Sequence, residues 1–384
     1  MYKHFYGEFL KHHKGKLHFA AHSHHFWPDV TRRAQLDYWD DSAKFADEKW
    51  SKIFGDIIPE TQKLMAKILN LKHPEMITFA PNTHELLTRL MSCLDWSKEV
   101  RILTTDSEFH SFKRQSERLV ETGRLKMDIV ATEPFETLSE RLIKKIQCES
   151  YDMIFLSQVF FNSGILLEDL EEMVESARDR TMFVLDGYHA FMAVETNLGP
   201  LEGKIFYLGG GYKYAQAGEG SCFLISPKNS TLRPLYTGWF SSFSTLEKKS
   251  NVINYDNDAF RFMGSTFDPS GIYRLRSVLK LFDYEKLSVY HIHQYVSSLQ
   301  TFFLENLRST ILTRESLLSY NLDRHGHFLT FRLASEEVVQ SVFQKLKDNG
   351  VLTDYRGDRL RIGFGLYHDM DDVENLLEII STKL

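Results

Sequence analysis

An acidic residue follows an apolar stretch near the middle of the chain. Residues 182–185 read Met-Phe-Val-Leu, which predicts a buried strand, and Asp186 comes directly after it. In open α/β sheets, ligands bind outside the carboxyl ends of the strands, so this position is typical of a carboxylate that takes part in chemistry. The alternative is that Asp186 caps a helix or a turn.

A lysine follows a second predicted strand. Residues 205–208 read Ile-Phe-Tyr-Leu and run into Gly-Gly-Gly-Tyr before Lys213, with Gly218 and Gly220 close behind. Glycines let the backbone approach a bound group closely. A lysine among apolar and aromatic neighbours gives up its proton more easily and becomes a nucleophile. The alternative is a flexible glycine loop that carries a solvated lysine.

An acid and a lysine on adjacent strand ends form the pair that pyridoxal phosphate chemistry needs. The lysine amine forms a Schiff base with the cofactor, and the carboxylate keeps the pyridine nitrogen protonated so that the ring accepts electrons. The sequence therefore predicts a pyridoxal 5'-phosphate site around Lys213 and Asp186.

Short apolar runs and helical stretches alternate through the first part of the chain. Such alternation predicts an α/β fold whose large domain holds a mainly parallel, doubly wound sheet, because right-handed crossovers place helices over both faces. Amphipathic helices are predicted at 29–54 and from Pro59 onward. The predicted strands are 76–80, 100–105, 127–131, 153–159, 182–185, 204–208 and 221–226, and the predicted helices between them are 84–94, 112–122, 138–148 and 170–178.

The remainder of the chain predicts a smaller α/β C-terminal domain. A long helix is expected from near Pro269 to beyond Leu287, where it links the two domains. The elements predicted after it are a strand at 328–333, a helix at 336–348, a strand pair within 352–364 that turns near Gly357, and a helix at 369–384.

Composition excludes several classes of function. Lys plus Arg number 46 against 52 for Asp plus Glu, a net charge of −6 without a basic block, so a nucleic-acid partner is not expected. No run of about 18 apolar residues occurs, so no membrane span is expected. Cys93, Cys148 and Cys222 are widely separated, which favours neither disulfides nor a thiolate metal site and indicates a reducing, cytoplasmic location.

Three motifs together resemble those of kynureninase, a member of the class V group of fold-type-I pyridoxal phosphate enzymes. They are Asp186-Gly-Tyr-His189, Tyr212-Lys213-Tyr214 with its Gly-x-Gly tail, and Gly238-Trp239-Phe240. The resemblance runs from about His18 to the C-terminus. It implies an aspartate-aminotransferase-like fold with an N-terminal segment at 1–58, a large cofactor domain at 59–268, and a linking helix with the small domain at 269–384.

The resemblance also implies roles for individual residues around the cofactor ring. Lys213 would be the Schiff-base lysine and the acid/base that moves protons at the substrate α-carbon. Asp186 would pair with the pyridinium, with His189 beside it. Phe109 matches the aromatic residue that stacks on the ring, and Ser157 matches a serine that contacts the cofactor.

Further matches concern the phosphate and the subunit arrangement. Asn82-Thr83-His84 stands between a strand and a helix, where backbone N–H groups could cradle a phosphate. The resemblance assigns Thr83 and His84 to that cradle, with Tyr212 and Trp239 as further partners. Thr266 lies in a segment that resembles the one that reaches the phosphate from a second subunit, which implies a homodimer with shared active sites.

The substrate of such an enzyme is an amino acid, whose carboxylate is best bound by a bidentate arginine. Arg361 lies in an alternating strand that resembles the small-domain strand of the family's carboxylate-binding arginine. Arg359 has the same side-chain parity and is the local competitor. For either residue the alternative is an exposed charge that pairs across strands.

The implied reaction is the hydrolytic cleavage of the Cβ–Cγ bond of kynurenine or a related aryl-keto amino acid, which gives an anthranilate and alanine. The sequence departs from the family at Gln216, at Glu219 and in the Phe-Ser-Ser after Trp239, all around the substrate's aryl side. Two alternatives therefore stay open: a class V aminotransferase, and a catalytically silent binding protein. A cysteine desulfurase is not favoured, because the last cysteine, Cys222, lies on a predicted strand.

A group of histidines near the N-terminus invites a metal-binding interpretation. His22, His24 and His25 lie close together in sequence, but no second group of Asp, Glu or Cys at ligand spacing accompanies them. No metal site is therefore predicted. The family keeps this stretch near the substrate, so substrate contact is the alternative role.

Overall fold

The structure is a computed structural model, and it describes residues 2–246, 251–318 and 321–384. Its α-helices are α1 (Gly7–His12), α2 (Val30–Phe45), α3 (Lys49–Lys52), α4 (Ile58–Leu69), α5 (Thr83–Met91), α6 (His110–Val120), α7 (Leu138–Cys148), α8 (Leu170–Ser176), α9 (Ser270–Tyr284), α10 (Val289–Asn306), α11 (Glu336–Asp348) and α12 (Met370–Lys383). Its strands are β1 (Leu17–His18), β2 (Ile77–Ala80), β3 (Val100–Thr105), β4 (Leu125–Val130), β5 (Met153–Ser157), β6 (Met182–Asp186), β7 (Ile205–Gly210), β8 (Cys222–Ile225), β9 (Phe328–Arg332), β10 (Val351–Leu352), β11 (Asp354–Arg356) and β12 (Arg359–Gly363).

The main sheet has the strand order β2-β8-β7-β6-β5-β3-β4. Strands β7, β6, β5, β3 and β4 run parallel, whereas β8 is antiparallel to both of its neighbours. The central strands are buried on both faces, which is why their sequences read as continuous apolar runs. The predicted α/β fold with a large, mainly parallel sheet is confirmed.

Helices cover both faces of this sheet. Alternate residues of β5 belong to different apolar clusters: Phe155 packs with the side chains of α5 and α6, whereas Leu156 packs with those of α7 and α8. This alternation follows from the two-residue period of a strand. The sheet is therefore enclosed between two layers, as the prediction of a doubly wound sheet requires.

A smaller antiparallel sheet, in the order β11-β12-β9, lies with α10, α11 and α12 around a separate apolar cluster. Strand β1 pairs in parallel with β10, and the Gly363 N–H donates to the Phe19 carbonyl oxygen at 2.7 Å. The N-terminal segment is thus attached to the C-terminal strands. The boundaries of the three predicted domains stay predictions.

Two helix predictions are wrong in their extent. The helix expected over 29–54 ends at Phe45, and short 3₁₀, α and π segments continue from there to α4. The long linking helix is interrupted: α9 ends at Tyr284, and α10 begins at Val289 after Ser288 accepts a hydrogen bond as its N-cap. Lys286 between them has a φ of 57°, a left-handed conformation that an α-helix cannot contain.

The helices that the structure describes include none that is both long enough and apolar enough to cross a bilayer.

Replacement of Gly187 by alanine tests how tightly the chain is packed directly after the carboxyl end of β6. A Cβ at this position would collide with the Tyr207 ring, so the loop that follows Asp186 must shift. We expect Gly187→Ala to lower the free energy of unfolding by about 1–3 kcal/mol in urea denaturation. Gly55→Ala is the matched control, because a Cβ at Gly55 meets open space. Equal stability of the two variants would contradict the described packing.

Candidate active site

Three adjacent strands of the main sheet bring their carboxyl ends to one cavity. Ser157 ends β5 and pairs in register with Asp186, which ends β6, and β7 leads through Gly210 into Lys213. The cavity has a volume of about 230 Å³. Its lining includes most of the predicted cofactor residues, namely Thr83, His84, Phe109, Ser157, Asp186, His189, Tyr212 and Lys213.

Lys213 is buried in the wall of this cavity. Its Nζ contacts His189 Nε2 and lies 5.3 Å from the centre of the Phe109 ring and 5.2 Å from that of Tyr188. Burial, followed by the positive charge of Arg361, lowers the pKa of the Lys213 amine to about 7, although the negative charge of Asp186 opposes this shift. A large share of the amine is therefore unprotonated near neutral pH, as a nucleophile requires.

Asp186 is the carboxylate that the sequence pairs with Lys213. One of its carboxylate oxygens, Oδ1, accepts a hydrogen bond from the Tyr188 backbone N–H at 2.9 Å. Burial raises the pKa of the Asp186 carboxyl, while this hydrogen bond and the charge of Lys213 lower it. A cationic ring nitrogen placed against the carboxylate would favour its ionised form in the same way as Lys213 does.

His189 lies beside this pair in a form that carries no charge at neutral pH. Burial, followed by the charges of Lys213 and Arg361, keeps the pKa of the His189 imidazole well below its ordinary value. Its Nδ1 has no hydrogen-bond partner among the described residues. A neutral imidazole with a free ring nitrogen next to the lysine can accept or donate a hydrogen bond to a bound group.

The start of α5 forms the other end of the cavity. Asn82 is the N-cap, and its side chain accepts from the Glu85 N–H at 2.9 Å, so the first helical turn is fixed. Thr83 and His84 follow, and His84 Nδ1 is held by Gln115 Nε2 at 2.6 Å. Backbone N–H groups in a first turn lack helical partners, which makes this end suited to an anion such as a phosphate.

Arg361 lies behind the cavity wall. Its Nη1 donates to the Phe161 carbonyl oxygen and its Nη2 to Asp354 Oδ2, both at 2.5 Å, while Nε has no partner among the described residues. Burial, partly offset by Asp354, lowers the pKa of the guanidinium to about 10. Arg359 instead binds Glu133 at 2.9 Å, and the charge of Arg361, followed by that of Arg356, lowers the pKa of Lys213.

Two predicted cofactor residues lie elsewhere. Neither Trp239 nor Thr266 is among the described residues that line the cavity. Both are exposed, and their segments are joined by a hydrogen bond from the Phe240 N–H to the Gly264 carbonyl oxygen. Within one chain, the structure therefore does not bring Trp239 and Thr266 to Lys213.

The three N-terminal histidines have separate surroundings. His22 is buried, stacks on Phe328 with ring centres 4.8 Å apart, and has Nε2 3.8 Å from Asp354 Oδ2. His24 is exposed and stacks on Tyr212, whereas the Nδ1 of His25 lies 2.6 Å from its neighbour's carbonyl oxygen. They do not converge on one point.

Sequence reasoning missed four residues at the site. Tyr188, Phe161 and Cys222 line the cavity, and Glu108 is hydrogen-bonded to Ser157. Tyr188 lies within the recognised Asp-Gly-Tyr-His motif and Glu108 precedes Phe109, so their positions carried a signal. Phe161 and Cys222 resemble ordinary core residues in sequence, and only the fold places them here.

The residues present fit pyridoxal phosphate. The cavity has an amine for the aldehyde, a carboxylate for the ring nitrogen, an aromatic side wall in Phe109, and a helix N-terminus for the phosphate. Gly220, with a φ of 85°, lines the same cavity and keeps side-chain atoms out of it. The fold and this donor set define a fold-type-I pyridoxal phosphate enzyme.

The family assignment follows from comparison with known proteins. The chain matches the family described as Aminotransferase class-V over residues 19–376 and belongs to that family. Its cofactor is accordingly pyridoxal 5'-phosphate, as predicted, and enzymes of the family bind amino acid substrates. A Schizosaccharomyces pombe protein named Uncharacterized protein C11D3.10 is 22% identical over 337 residues, which are 85% of this chain and 74% of that protein.

Solved structures share the whole fold. A mutant of C-DES with glycine covalently linked to its pyridoxal phosphate superposes with a TM-score of 0.85 and 16% identity, over 100% of this chain and 99% of that one. The cystine C-S lyase C-DES in complex with its product cysteine persulfide superposes with a TM-score of 0.80 and 16% identity, over 97% of this chain and 99% of that one. An apo cysteine desulfurase from Thermococcus onnurineus NA1 superposes with a TM-score of 0.78 and 20% identity, over 95% of this chain and 94% of that one.

The burial of Lys213 predicts a pH dependence of stability in the cofactor-free protein. The lysine is protonated in the unfolded chain up to about pH 10, but its pKa is about 7 in the folded chain. Between about pH 7 and pH 10 the unfolded state therefore binds more protons than the folded state, and the free energy of unfolding rises with pH. Below pH 7 Lys213 is protonated in both the folded and the unfolded state, so it contributes no pH dependence to the free energy of unfolding.

We expect the unfolding free energy of the apo wild type to rise relative to that of Lys213→Met from pH 7 to 9, by up to about 1.4 kcal/mol per pH unit. Urea denaturation at four or five pH values measures this difference. Methionine is the control because it fills a similar volume without a charge. If the free energies of unfolding of the two proteins changed with pH in parallel, Lys213 would be solvated in the folded state and the prediction would be wrong.

Proposed function

We propose that this chain is a pyridoxal phosphate enzyme that hydrolyses the Cβ–Cγ bond of an aryl-keto amino acid, as kynureninase does. The observation that carries the proposal is the burial of the Lys213 amine in the cavity wall, where the charges of Asp186 and Arg361 act on it with opposite sign. When bound, the cofactor supplies an electron sink for the negative charge that develops at the substrate carbon atoms. Water is the second reactant, and the products are an anthranilate and alanine.

Each residue of the cavity has one task in this reaction. The Nζ of Lys213 removes the proton from the substrate α-carbon and later returns it, for which a pKa near 7 is suited. Asp186 would hold the proton on the ring nitrogen of the bound cofactor, and Phe109 would pack on its ring. The free Nε of Arg361 is available to the substrate carboxylate, which would share this guanidinium with Asp354.

Aromatic side chains on the substrate side support an aryl substrate. Phe161 lies edge-on to both Phe109 and His110, with ring centres 5.5 and 5.3 Å apart. Of these rings, Phe109 and Phe161 line the cavity together with His189, whereas Phe328 is buried behind His189 and is not among the lining residues. Flat apolar walls of this kind favour an aromatic ring over a charged or flexible side chain.

A C–S lyase reaction is the second candidate, and one observation favours it. The cystine C-S lyase C-DES superposes on nearly the full length of this chain. Such a lyase releases the β-substituent of the substrate by elimination and needs no cysteine of its own. Desulfuration through a nucleophilic cysteine is less well supported, because burial raises the pKa of the Cys222 thiol to about 11 and Tyr188 Oη lies 3.3 Å from its Sγ.

The purified protein and its Lys213→Ala variant test the site. We expect an absorption band near about 420 nm from lysine-bound cofactor in the wild type and its loss in the variant. With kynurenine we expect anthranilate and alanine in equal amounts, and with 3-hydroxykynurenine we expect 3-hydroxyanthranilate and alanine. Arg361→Lys should raise KM about tenfold or more and change kcat less, because a single lysine amine cannot bind the substrate carboxylate and also keep the contacts that the guanidinium makes to Asp354 and Phe161.

Other products would overturn the hydrolase proposal. Pyruvate and persulfide from cystine would identify the lyase, and amino transfer to a keto acid would identify an aminotransferase. Bound cofactor without turnover of any of these substrates would favour a silent binding protein. A band that persists in Lys213→Ala would contradict the assignment of the lysine.

We further propose that the active unit is a homodimer with shared sites. Leu235, Tyr236 and Ile253 are each more than 60% exposed, and Phe243 adds a further exposed ring. Such a patch on a surface usually marks an interface. Trp239 and Thr266 lie in the same region of the sequence, but they do not line the Lys213 cavity of the same chain. Their position supports a second copy of this chain as the partner that covers these exposed residues.

Mixed dimers test the sharing. We expect Lys213→Ala and a Trp239→Ala/Thr266→Ala double variant to be inactive alone but to recover about a quarter of wild-type activity when unfolded and refolded together, because half of the dimers then contain one intact site. Sedimentation of each protein checks that dimers form. An inactive mixture of dimers, or a monomeric wild type, would contradict the proposal.

A further inference from the structure

Arg274 is a buried arginine outside the cavity that the proposed mechanism does not use. It lies near the start of α9, and every hydrogen bond that it makes among the described residues ends on a neutral oxygen atom. The carboxylates of Asp268 and Glu219 act on its charge only at longer range. A cation is costly to bury without a carboxylate in contact, so the role of these hydrogen bonds requires an explanation.

The guanidinium of Arg274 holds two carbonyl groups of the segment that follows Lys213. Its Nε donates to the Ala217 carbonyl oxygen at 2.7 Å, and its Nη2 donates to the Glu219 carbonyl oxygen at 2.5 Å. Its third nitrogen, Nη1, donates to the side chain of Gln35 in α2. A planar fork of donors can bind two carbonyls at once, whereas the single ammonium group of a lysine lacks this geometry.

The two carbonyls belong to a compact turn that contains the lysine. The Gln216 N–H donates to the Lys213 carbonyl oxygen at 2.9 Å. The Ala217 N–H donates to the Gly211 carbonyl oxygen at 2.8 Å. The turn continues into Gly220, which lines the cofactor cavity. Backbone hydrogen bonds therefore close the turn on the side of the lysine, and the guanidinium holds its other side.

Two further segments pack directly on this turn. Gly218 has a φ of 70°, and a Cβ there would come within 2.3 Å of Trp27 Cζ2. A Cβ at Gly271 of α9 would come within 2.6 Å of the Gly220 carbonyl carbon. The Trp27 ring centre lies 5.3 Å from Arg274 Cζ. The arginine thus lies where α9, the N-terminal segment and the turn meet.

We propose that Arg274 is a positioning residue that fixes the turn at 211–220, and with it the Lys213 amine, by donating to two carbonyl groups at once. A turn that is fixed before the cofactor arrives keeps the amine where the aldehyde must be, so binding does not have to order it. The effect depends on the shape of the guanidinium and not only on its charge. The inference rests on pyridoxal phosphate binding but not on the choice of substrate.

Amide hydrogen exchange of the cofactor-free protein tests the turn directly. We expect the peptide that covers residues 211–221 to exchange about tenfold faster in Arg274→Ala and in Arg274→Lys than in wild type, because the turn opens more often without the fork. The peptide that covers β5 should keep its rate. Arg276→Ala is the matched control: Arg276 lies on the same helix but pairs with Glu60, and its loss should leave the exchange of 211–221 unchanged.

Cofactor binding tests the consequence for the site. Titration of the apo proteins with pyridoxal 5'-phosphate, followed by absorbance, measures the Kd, which we expect to rise about tenfold in Arg274→Ala and in Arg274→Lys but not in Arg276→Ala. About 20 mM guanidinium chloride, far below denaturing concentrations, should restore both the binding and the slow exchange of Arg274→Ala. It should not restore Arg274→Lys, whose amine fills the site. Sodium chloride at the same concentration is the control for ionic strength.

Several results would overturn the inference. Exchange of 211–221 at the wild-type rate in Arg274→Ala would show that other contacts hold the turn. Wild-type binding and exchange in Arg274→Lys would show that the charge suffices, and no recovery with guanidinium would show that lost packing causes the defect. Thermal unfolding identifies a variant that fails to fold; if Arg274→Ala does, Arg274→Lys supplies the comparison. A wild-type protein that binds no pyridoxal phosphate would instead contradict the cofactor, while hydrogen exchange would still test the turn.

Discussion

The burial of two opposite charges at one edge of a sheet is the constraint on which this structure depends. Lys213 is buried and Asp186 is partly buried at the cavity, and each shifts the pKa of the other. Such groups are costly to bury unless a bound molecule or a fixed partner compensates them. The register of the parallel strands fixes the positions from which the two side chains reach the cavity. Pyridoxal phosphate provides the remaining compensation, because it reacts with the amine and presents a cation to the acid.

Much of the fold could be predicted because its signals are local. Strands β3, β5 and β6 are buried on both faces, so hydrophobicity alone marks them, and the helix predicted at 336–348 has the observed bounds of α11. The direction of β8 and the pairing of β1 with β10 could not be predicted, because they depend on contacts between distant segments. The break between α9 and α10 also escaped prediction, since the φ of Lys286 follows from packing and not from residue type.

The candidate site shows the same division. The sequence could indicate that Asp186 and Lys213 lie at one cavity, because Asp186 ends one recognisable strand and Lys213 comes shortly after another, whereas the roles of the two side chains stay predictions. Phe161 was missed because a phenylalanine after a buried strand looks like part of the core, and nothing local shows that its carbonyl oxygen holds Arg361. Trp239 and Thr266 came from the family resemblance alone. Their distance from the cavity is the reason that a second subunit enters the proposal.

The pairing of β1 with β10 also has a consequence for biosynthesis. Leu17 leaves the ribosome more than 300 residues before its partner Val351. Until then the segment that carries His22 has no strand to join, and the pocket wall that Arg361 supports does not exist. A nascent polypeptide can therefore assemble the central sheet while translation continues, yet it becomes competent to hold a substrate only after β10 and β12 have been made. Translation that stops early would leave a folded sheet without catalytic capacity.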